Sequence, residues 1–437
     1  MLIPQKEEVI SRSPDLDLTA ANFPAQTKRI QLTRTGPIEA IFIIVQVTLN
    51  ALLTDLITFG LLNLLKKVTL NVNDGTGAYD AVYSSGPGLI VLQDQEGVSL
   101  DRSTQSALFQ SLAALQGAGT GPQIPTGSIF RICYPIWCPH PALGEWLRLR
   151  SLIPAHRHVQ DPVLTMDFAP AAEISQSVAN PFSAANLEVM IIRRDLPSAL
   201  DQQLIDSGGY IRWDIRETPF DLPLGTNAEK RFALPGPGDY PSLAGYMYKG
   251  FTGGGLESKL SDLSASATVG SESLWRLEAA QNSIRQWRMK GRQIYNDQTR
   301  GGCRQTSIMN LFGGSAAATW ITTLSNLGVT GGAPPVLLTA TTLGMPQNMG
   351  GDLAAGLAVQ EPAVFGFDFV TDTMLAGANE LGGCLDANFA SDAIKWEIVA
   401  PIDVTRGTAA TASSSLNLIG RRYRDNITRW KKYPIVQ

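Results

Sequence analysis

The sequence predicts an all-β fold, two β-sandwiches in tandem with a few short helices and long loops. Short segments rich in β-branched and aromatic residues recur between Gly, Pro and Asn turn signals along the whole chain. Stretches with helical spacing are few. The 437 residues divide into two halves of about 200, each holding enough strand candidates for one sandwich. No sequence repeat relates the halves, so any similarity between them lies in the fold.

Residues 1–27 read as an extended N-terminal arm, punctuated by Pro4, Pro14 and Pro24 with no sustained period. The first sandwich is expected over 28–205. Its strands begin at 38–49, after the turn signal Gly36-Pro37, and continue at 68–72, which alternates with period two and stops at Asn73-Asp74-Gly75. Between them, 52–65 has apolar residues at helical spacing that fit either a short helix or a buried loop. Residues 89–92 read as a strand. Residues 102–116 read as a helix with Leu108, Leu112 and Leu115 on one face, stopped by the Gly-rich run that ends at Pro122. Further strands are expected at 128–136, 163–168 and 187–193, with Pro135, Pro139 and Pro141 marking a connection. The boundary between halves falls at 196–209, where Pro197 and Ser207-Gly208-Gly209 interrupt the strand pattern.

The second sandwich is expected over 206–425, with strands at 210–215, 243–251, 274–279, 284–289, 364–370, 394–398 and 416–423 and a tail at 426–437. The loop at 253–273 is long, and the Gly/Ala/Thr-rich insertion at 303–363 is too long for a featureless connection. It reads as a functional excursion.

Composition narrows the chemistry. Charged residues make up 17%, below the usual ~25% of a soluble domain. A net charge of −4 gives no reason to expect sequence-specific nucleic-acid binding. Four cysteines are too few for a disulfide scaffold, and Cys133 with Cys138 lacks the second pair a zinc site needs. The acidic start Glu7-Glu8 lacks the pattern of a signal peptide, which predicts synthesis as a soluble cytoplasmic chain. Residues 38–65 are interrupted by Glu39, Gln46, Asn50, Asp55 and Asn63, so no membrane-spanning helix is expected.

The three histidines, His140, His156 and His158, read as solvated loop residues, with a His156/His158 metal pair the less favoured reading. No nucleophile elbow, phosphate loop or dinucleotide fingerprint is present. Residues 71–75 resemble a calcium loop, but Val82 stands where the bidentate Glu belongs, and a hairpin turn fits better. No catalytic residue, metal or cofactor is expected, and the protein reads as a non-enzyme.

Basic residues cluster twice. Lys28, Arg29 and Arg34 follow the arm, and Arg421, Arg422, Arg424, Arg429, Lys431 and Lys432 lie near the end, interleaved with Tyr423, Trp430 and Tyr433. They read as a solvated strand face with a tail, or as a site for lipid headgroups or nucleic acid, and the two clusters brought to one end of the molecule would suit an acidic partner surface.

Three groups of segments carry a resemblance. They are 35–49 with 62–72; 232–240 and 245–252 followed by 273–278, 284–289 and 294–297; and 367–370, 379–388 and 418–423. In this order they resemble the double jelly-roll major capsid proteins of tailless icosahedral bacteriophages with an internal membrane (tectivirus-, corticovirus- and autolykivirus-like). The first pair looks like the opening strands of the first jelly roll and the last group like the closing strands of the second. The resemblance implies two tandem jelly rolls and a homotrimer whose six rolls form a pseudo-hexagonal block in a virion capsid lattice. It implies vertex and minor coat proteins and internal membrane lipids as partners, with the termini facing inward and the arm 1–27 and the basic clusters as candidates for contact with the membrane or neighbouring capsomers. Two alternatives follow. One is a minor coat, vertex or spike protein of the same virion. The other is a carbohydrate-binding sandwich, with Trp137, Trp146, Trp213, Trp275 and Trp287 exposed around one cleft beside paired carboxylates.

Overall fold

The computed structural model describes residues 5–13, 24–50, 63–75, 77–96, 127, 129–174, 179–207, 209–221, 238–249, 264–269, 272–278, 364–370, 385–386, 394–399 and 415–424. The first part of the chain supplies eight strands: β1 (Gln5–Ser13), β2 (Gln26–Gln31), β3 (Ile38–Leu49), β4 (Leu65–Asn73), β5 (Ala78–Ser84), β6 (Ile129–Trp137), β7 (Val163–Phe168) and β8 (Phe182–Arg194). Period-two alternation makes them. β3 buries Ile41, Ile43, Val45 and Val47 completely and leaves Phe42, Ile44, Gln46 and Thr48 half-buried on its other face. Each such buried side chain contributes about 1.5–3 kcal/mol relative to exposure.

These strands form two antiparallel ladders, in the orders β1-β8-β3-β6 and β2-β7-β4-β5. Consecutive strands alternate between the sheets except at the β4–β5 hairpin, which stays in one sheet, and the first and last strands are neighbours. That is the connectivity of a jelly roll.

The second part supplies β9 (Trp213–Asp221), β10 (Asp239–Lys249), β11 (Ser264–Val269), β12 (Glu272–Glu278), β13 (Val364–Asp368), β14 (Leu385–Asp386), β15 (Ile394–Val399) and β16 (Ser415–Tyr423). They repeat the pattern as β9-β16-β10-β13 and β12-β11-β15, with the short β14 also on β10. The first and last strands of this roll, β9 and β16, are again neighbours.

The two rolls share one sheet. β5 pairs with β9 in parallel, Val82 opposite Ile215 and Tyr83 opposite Arg216. The result is one continuous path from β13 through β10, β16, β9, β5, β4 and β7 to β2. Among the described residues three α-helices accompany the strands: α1 (Gly86–Gln95), α2 (Glu145–Arg150) and α3 (Ser198–Asp206). α1 follows β5 and packs against β4 and β6 of the first roll and β10, β13 and β16 of the second.

The registers also fix a polarity. Gln5 lies opposite Arg194, Gln31 opposite Val163, and Trp213 opposite Tyr423. The start of β1, the end of β16 and the link between rolls therefore share one end of the strands. The opposite end carries the ends of β3, β5, β9 and β10 and the starts of β6, β8, β13 and β16.

Several expectations are corrected. The arm at 1–27 is not free, because Gln5–Ser13 pairs along β8 and Gln26 already opens β2. Residues 89–92 lie inside α1. Their apolar run cannot distinguish a buried strand from a buried helix, and Leu89 and Leu92 are completely covered. Pro135 sits within β6 opposite Phe42, tolerated because β6 is an edge strand where a missing N–H leaves no ladder bond broken. β3 and β4 are not an opening pair; they belong to different sheets. The turn at 73–75 is a hairpin turn, Gly75 at φ 91° donating its N–H to Asn73 Oδ1 at 3.2 Å. Residues 52–62 of the predicted element at 52–65, the elements at 102–116 and 284–289, and the insertion at 303–363 lie outside the described residues.

Candidate functional site

The chemistry of the described residues concentrates where the two rolls meet. Two carboxylates organise it. Glu217 sits on β9, on the face it shares with Trp213 and Ile215, and is buried. Its Oε2 accepts the Ser85 N–H at 2.6 Å and the Ser84 hydroxyl at 2.9 Å, and Oε1 accepts the Ser85 hydroxyl at 3.2 Å and the Asn417 amide. Ser85 in turn caps α1, its Oγ accepting the Gly88 N–H at 3.1 Å. A second-roll carboxylate thus sits against the positive end of a first-roll helix. Gly88 is required by this approach, since a Cβ there would lie 2.4 Å from Glu217 Oε2.

Glu96, just past the other end of α1, meets Arg421 of β16. The pairing is two-pronged, Nε to Oε1 at 2.7 Å and Nη2 to Oε2 at 2.8 Å, and both side chains are fully buried. Arg421 Nη1 donates to the Cys138 carbonyl at 2.6 Å, and its guanidinium lies 5.5 Å from the centre of the Trp213 ring. Ser242 of β10 donates to Glu96 Oε1 at 2.6 Å. Burial alone would raise the Glu96 carboxyl. The Arg421 charge and hydrogen bonds, with His140 and Ser242, hold it below the ordinary carboxylate range.

Two further ion-pair groups lie at the end that holds the chain's first and last strands. Asp214 accepts both prongs of Arg422 and the Arg424 Nε at 2.6 Å, while Arg424 stacks over Tyr79 at 4.8 Å. Arg212 Nε donates to Asp74 at 2.6 Å, fastening the second roll to the β4–β5 hairpin. On α3, Asp201 gathers Arg157, His156 Nε2 at 3.3 Å and the Tyr210 hydroxyl at 2.6 Å. Burial would raise Asp201, but these hydrogen bonds hold it low.

This placement corrects the basic-cluster expectation. Arg421 and Arg422 face no outside surface: both are buried and neutralised by Glu96 and Asp214. Arg424 is half-buried on the same Asp214, and Arg34 pairs with Asp161 at 2.9 Å while donating to the His158 and Val159 carbonyls. Lys28 is half-buried and Arg29 exposed on the edge strand β2. Arg429, Lys431 and Lys432 lie outside the described residues. The histidines are corrected as well. His140 and His158 are buried, not solvated, and His156 is half-buried on Asp201. Burial lowers the His158 pKa. Among the described residues no group of three or more His, Cys, Asp or Glu is placed to hold a metal, and no helix is long and apolar enough to cross a membrane.

The tryptophans whose side chains are described occupy separate environments. Trp213 is buried under Arg421, Trp137 stands edge-on to Phe42 at 5.6 Å, and Trp146 packs against Leu149, Leu152 and Leu204. They do not form the single exposed cleft of the carbohydrate-binding alternative. Sequence reasoning missed Glu96, Asp201, Asp214 and Glu217. One signal was available for Glu217, a carboxylate at an inward position of the alternating run Trp213-Asp214-Ile215-Arg216-Glu217.

No family model matches this chain, and no curated protein matches it by sequence. Solved structures do. The STIV MCP is 11% identical over 99% of this chain and 100% of its own, with a TM-score of 0.51. A chain from the atomic structure of Sulfolobus turreted icosahedral virus is 12% identical over 98% of this chain and 94% of its own, at 0.53. The PBCV-1 virus capsid is 12% identical over 97% and 94%, at 0.51. At these identities the likeness is one of fold, and it spans both jelly rolls.

Proposed function

We propose that this chain is a major capsid protein whose homotrimers present six jelly rolls as a pseudo-hexagonal block and tile an icosahedral virion shell. The observation that carries the reading is the shared sheet. A tile must present both rolls in one fixed relation, and β5–β9 pairing with the Glu217 and Glu96–Arg421 contacts holds them so. Full-length likeness in fold to the STIV MCP and to the PBCV-1 virus capsid supports the same reading. So does the 17% charge content, since the centres of protein interfaces are depleted of charge.

The polarity of the strands supports one orientation of the tile. The end carrying β1 and the exit of β16 is the inward side, where Arg429, Lys431 and Lys432 would meet anionic headgroups of an internal membrane at about 1 kcal/mol each. The opposite end, where β13 starts, is then the outward side. The protein's role is structural rather than enzymatic, and its site is the virion. Other virion proteins, at vertices and in the minor coat, are its further partners.

Light scattering on the purified chain tests this. The expected mass is three times 47.0 kDa, and stoichiometry in purified virions should make it the most abundant shell protein. A species that stays at 47.0 kDa at high concentration overturns the proposal.

A further inference from the structure

The two rolls differ in how their corresponding sheets are covered. In β9-β16-β10-β13, strand β16 is buried on both faces. Asn417, Ile419 and Arg421 lie on the side of Glu217, Glu96 and α1, while Leu418 and Arg422 are buried on the other. In the matching sheet of the first roll, β1-β8-β3-β6, one face is closed and the other is only partly covered among the described residues. β8 buries Leu187, Val189 and Ile191 but leaves Asn186 exposed and Glu188 and Met190 half-buried.

The partly covered face is apolar along one row. Val9, Met190, Phe42 and the buried Pro135 lie opposite one another across all four strands, with Trp137 edge-on to Phe42, while the next row sets Ile44 and Cys133 beside Glu188 and Arg12. Val9 is 42% exposed although it stands in an edge strand. At about 4.8 Å between strands and 3.3 Å per residue, four strands of nine residues present about 600 Å². That approaches the ~800 Å² each partner contributes to a stable interface.

The joint inside the chain indicates the occupant. There the edge β5, next to β4, lies parallel to β9, the first strand of the following roll. In the second roll the strand at the corresponding edge is β12, next to β11, and the first strand of the other roll is β1. Both β12 and β1 are sheet edges among the described strands. We infer that the edge β12 of one copy lies beside the edge β1 of the next in the manner of β5 and β9, with the second roll of that copy covering the Val9–Met190–Phe42 face. Such a contact is heterologous, and repeated head to tail it closes a ring. The inference rests on the trimer reading and assigns its contact.

The test uses the full chain. A photoreactive benzoylphenylalanine at Val9 should cross-link, in the trimer, to the 272–278 peptide of another copy. Met190→Glu should weaken association at least tenfold, read by light scattering, with the unfolding midpoint of the dissociated chain retained. Trimers that cross-link elsewhere or not at all, or a folded Met190→Glu variant with wild-type mass, overturn this contact and leave the trimer reading intact. A wild-type chain that never associates overturns the trimer reading itself. Should Met190→Glu fail to fold, the cross-link at the exposed Val9 decides.

Discussion

Arg421 and Glu96 stand 325 positions apart and meet as a fully buried, two-pronged ion pair that ties the last described strand to the end of the first helix. Desolvating two charges is costly, and here a carbonyl, a serine hydroxyl and an indole face share the compensation. Arg421→Leu should therefore destabilise by about 3–5 kcal/mol, because it strands a buried carboxylate. Adding Glu96→Leu should recover much of the loss. Urea unfolding of both variants checks this; equal losses in the single and double variants would contradict it.

Gly88 and Glu217 should prove coupled. Gly88→Ala drives a methyl into the carboxylate, an overpacking that should cost about 1–3 kcal/mol despite alanine's better helix propensity. Glu217→Ala leaves the Ser85 N–H and its neighbours without their acceptor, for about 1–3 kcal/mol. The double variant should lose less than the two singles combined, since removing the carboxylate removes the clash. A double-mutant cycle by urea denaturation measures it, and strict additivity would refute the contact.

Acid should weaken the fold in two stages. The buried His158 has a lowered pKa, so below about pH 6.5 the unfolded chain takes up a proton that the native state refuses, and stability falls. Glu96 and Asp201 are held low, so their contribution is complete above about pH 4.5 and is lost as pH drops through their native values. The urea midpoint measured from pH 8 to 3 should show a shallow decline and then a steep one. His158→Gln should remove the first stage only.

Removing residues 1–13 should destabilise the first roll rather than trim a dispensable arm. The deletion takes away β1, its ladder with β8 and the Glu8 partner of the buried Arg193. A lowered melting temperature and faster amide exchange along β8 are the expected signs. An unchanged melting temperature would show that β1 contributes nothing to the fold.

Much of the fold was legible because alternation is a local property. The stretches 163–168, 394–398 and 416–423 carry their burial pattern or their β-branched content on their face, and the observed strands nearly coincide. Placement of polar residues was not legible, because it depends on partners hundreds of positions away. Nothing near Arg421 indicates that Glu96 neutralises it, so a run of arginines beside aromatics resembled a surface. Likewise the run at 89–92 is equally apolar as helix or strand, and only its position between two rolls, with Ser85 and Glu217 at its start, makes it helical. β1 escaped notice because its edge position asks for few buried side chains, and Lys6, Glu7 and Glu8 obscure its period.

The position of β16 has a consequence for synthesis. This strand lies between β9 and β10, yet it follows them in the chain by about two hundred residues. A ribosome that has delivered β10 has produced a sheet with its central member missing, and Glu96 without its cation. Translation at about 5–20 residues per second leaves that gap open for roughly 9–35 seconds. The first roll closes early, with β8, but its partner cannot. Nascent chains thus remain unable to complete the second roll, or to pair Glu96, until residues 415–423 emerge.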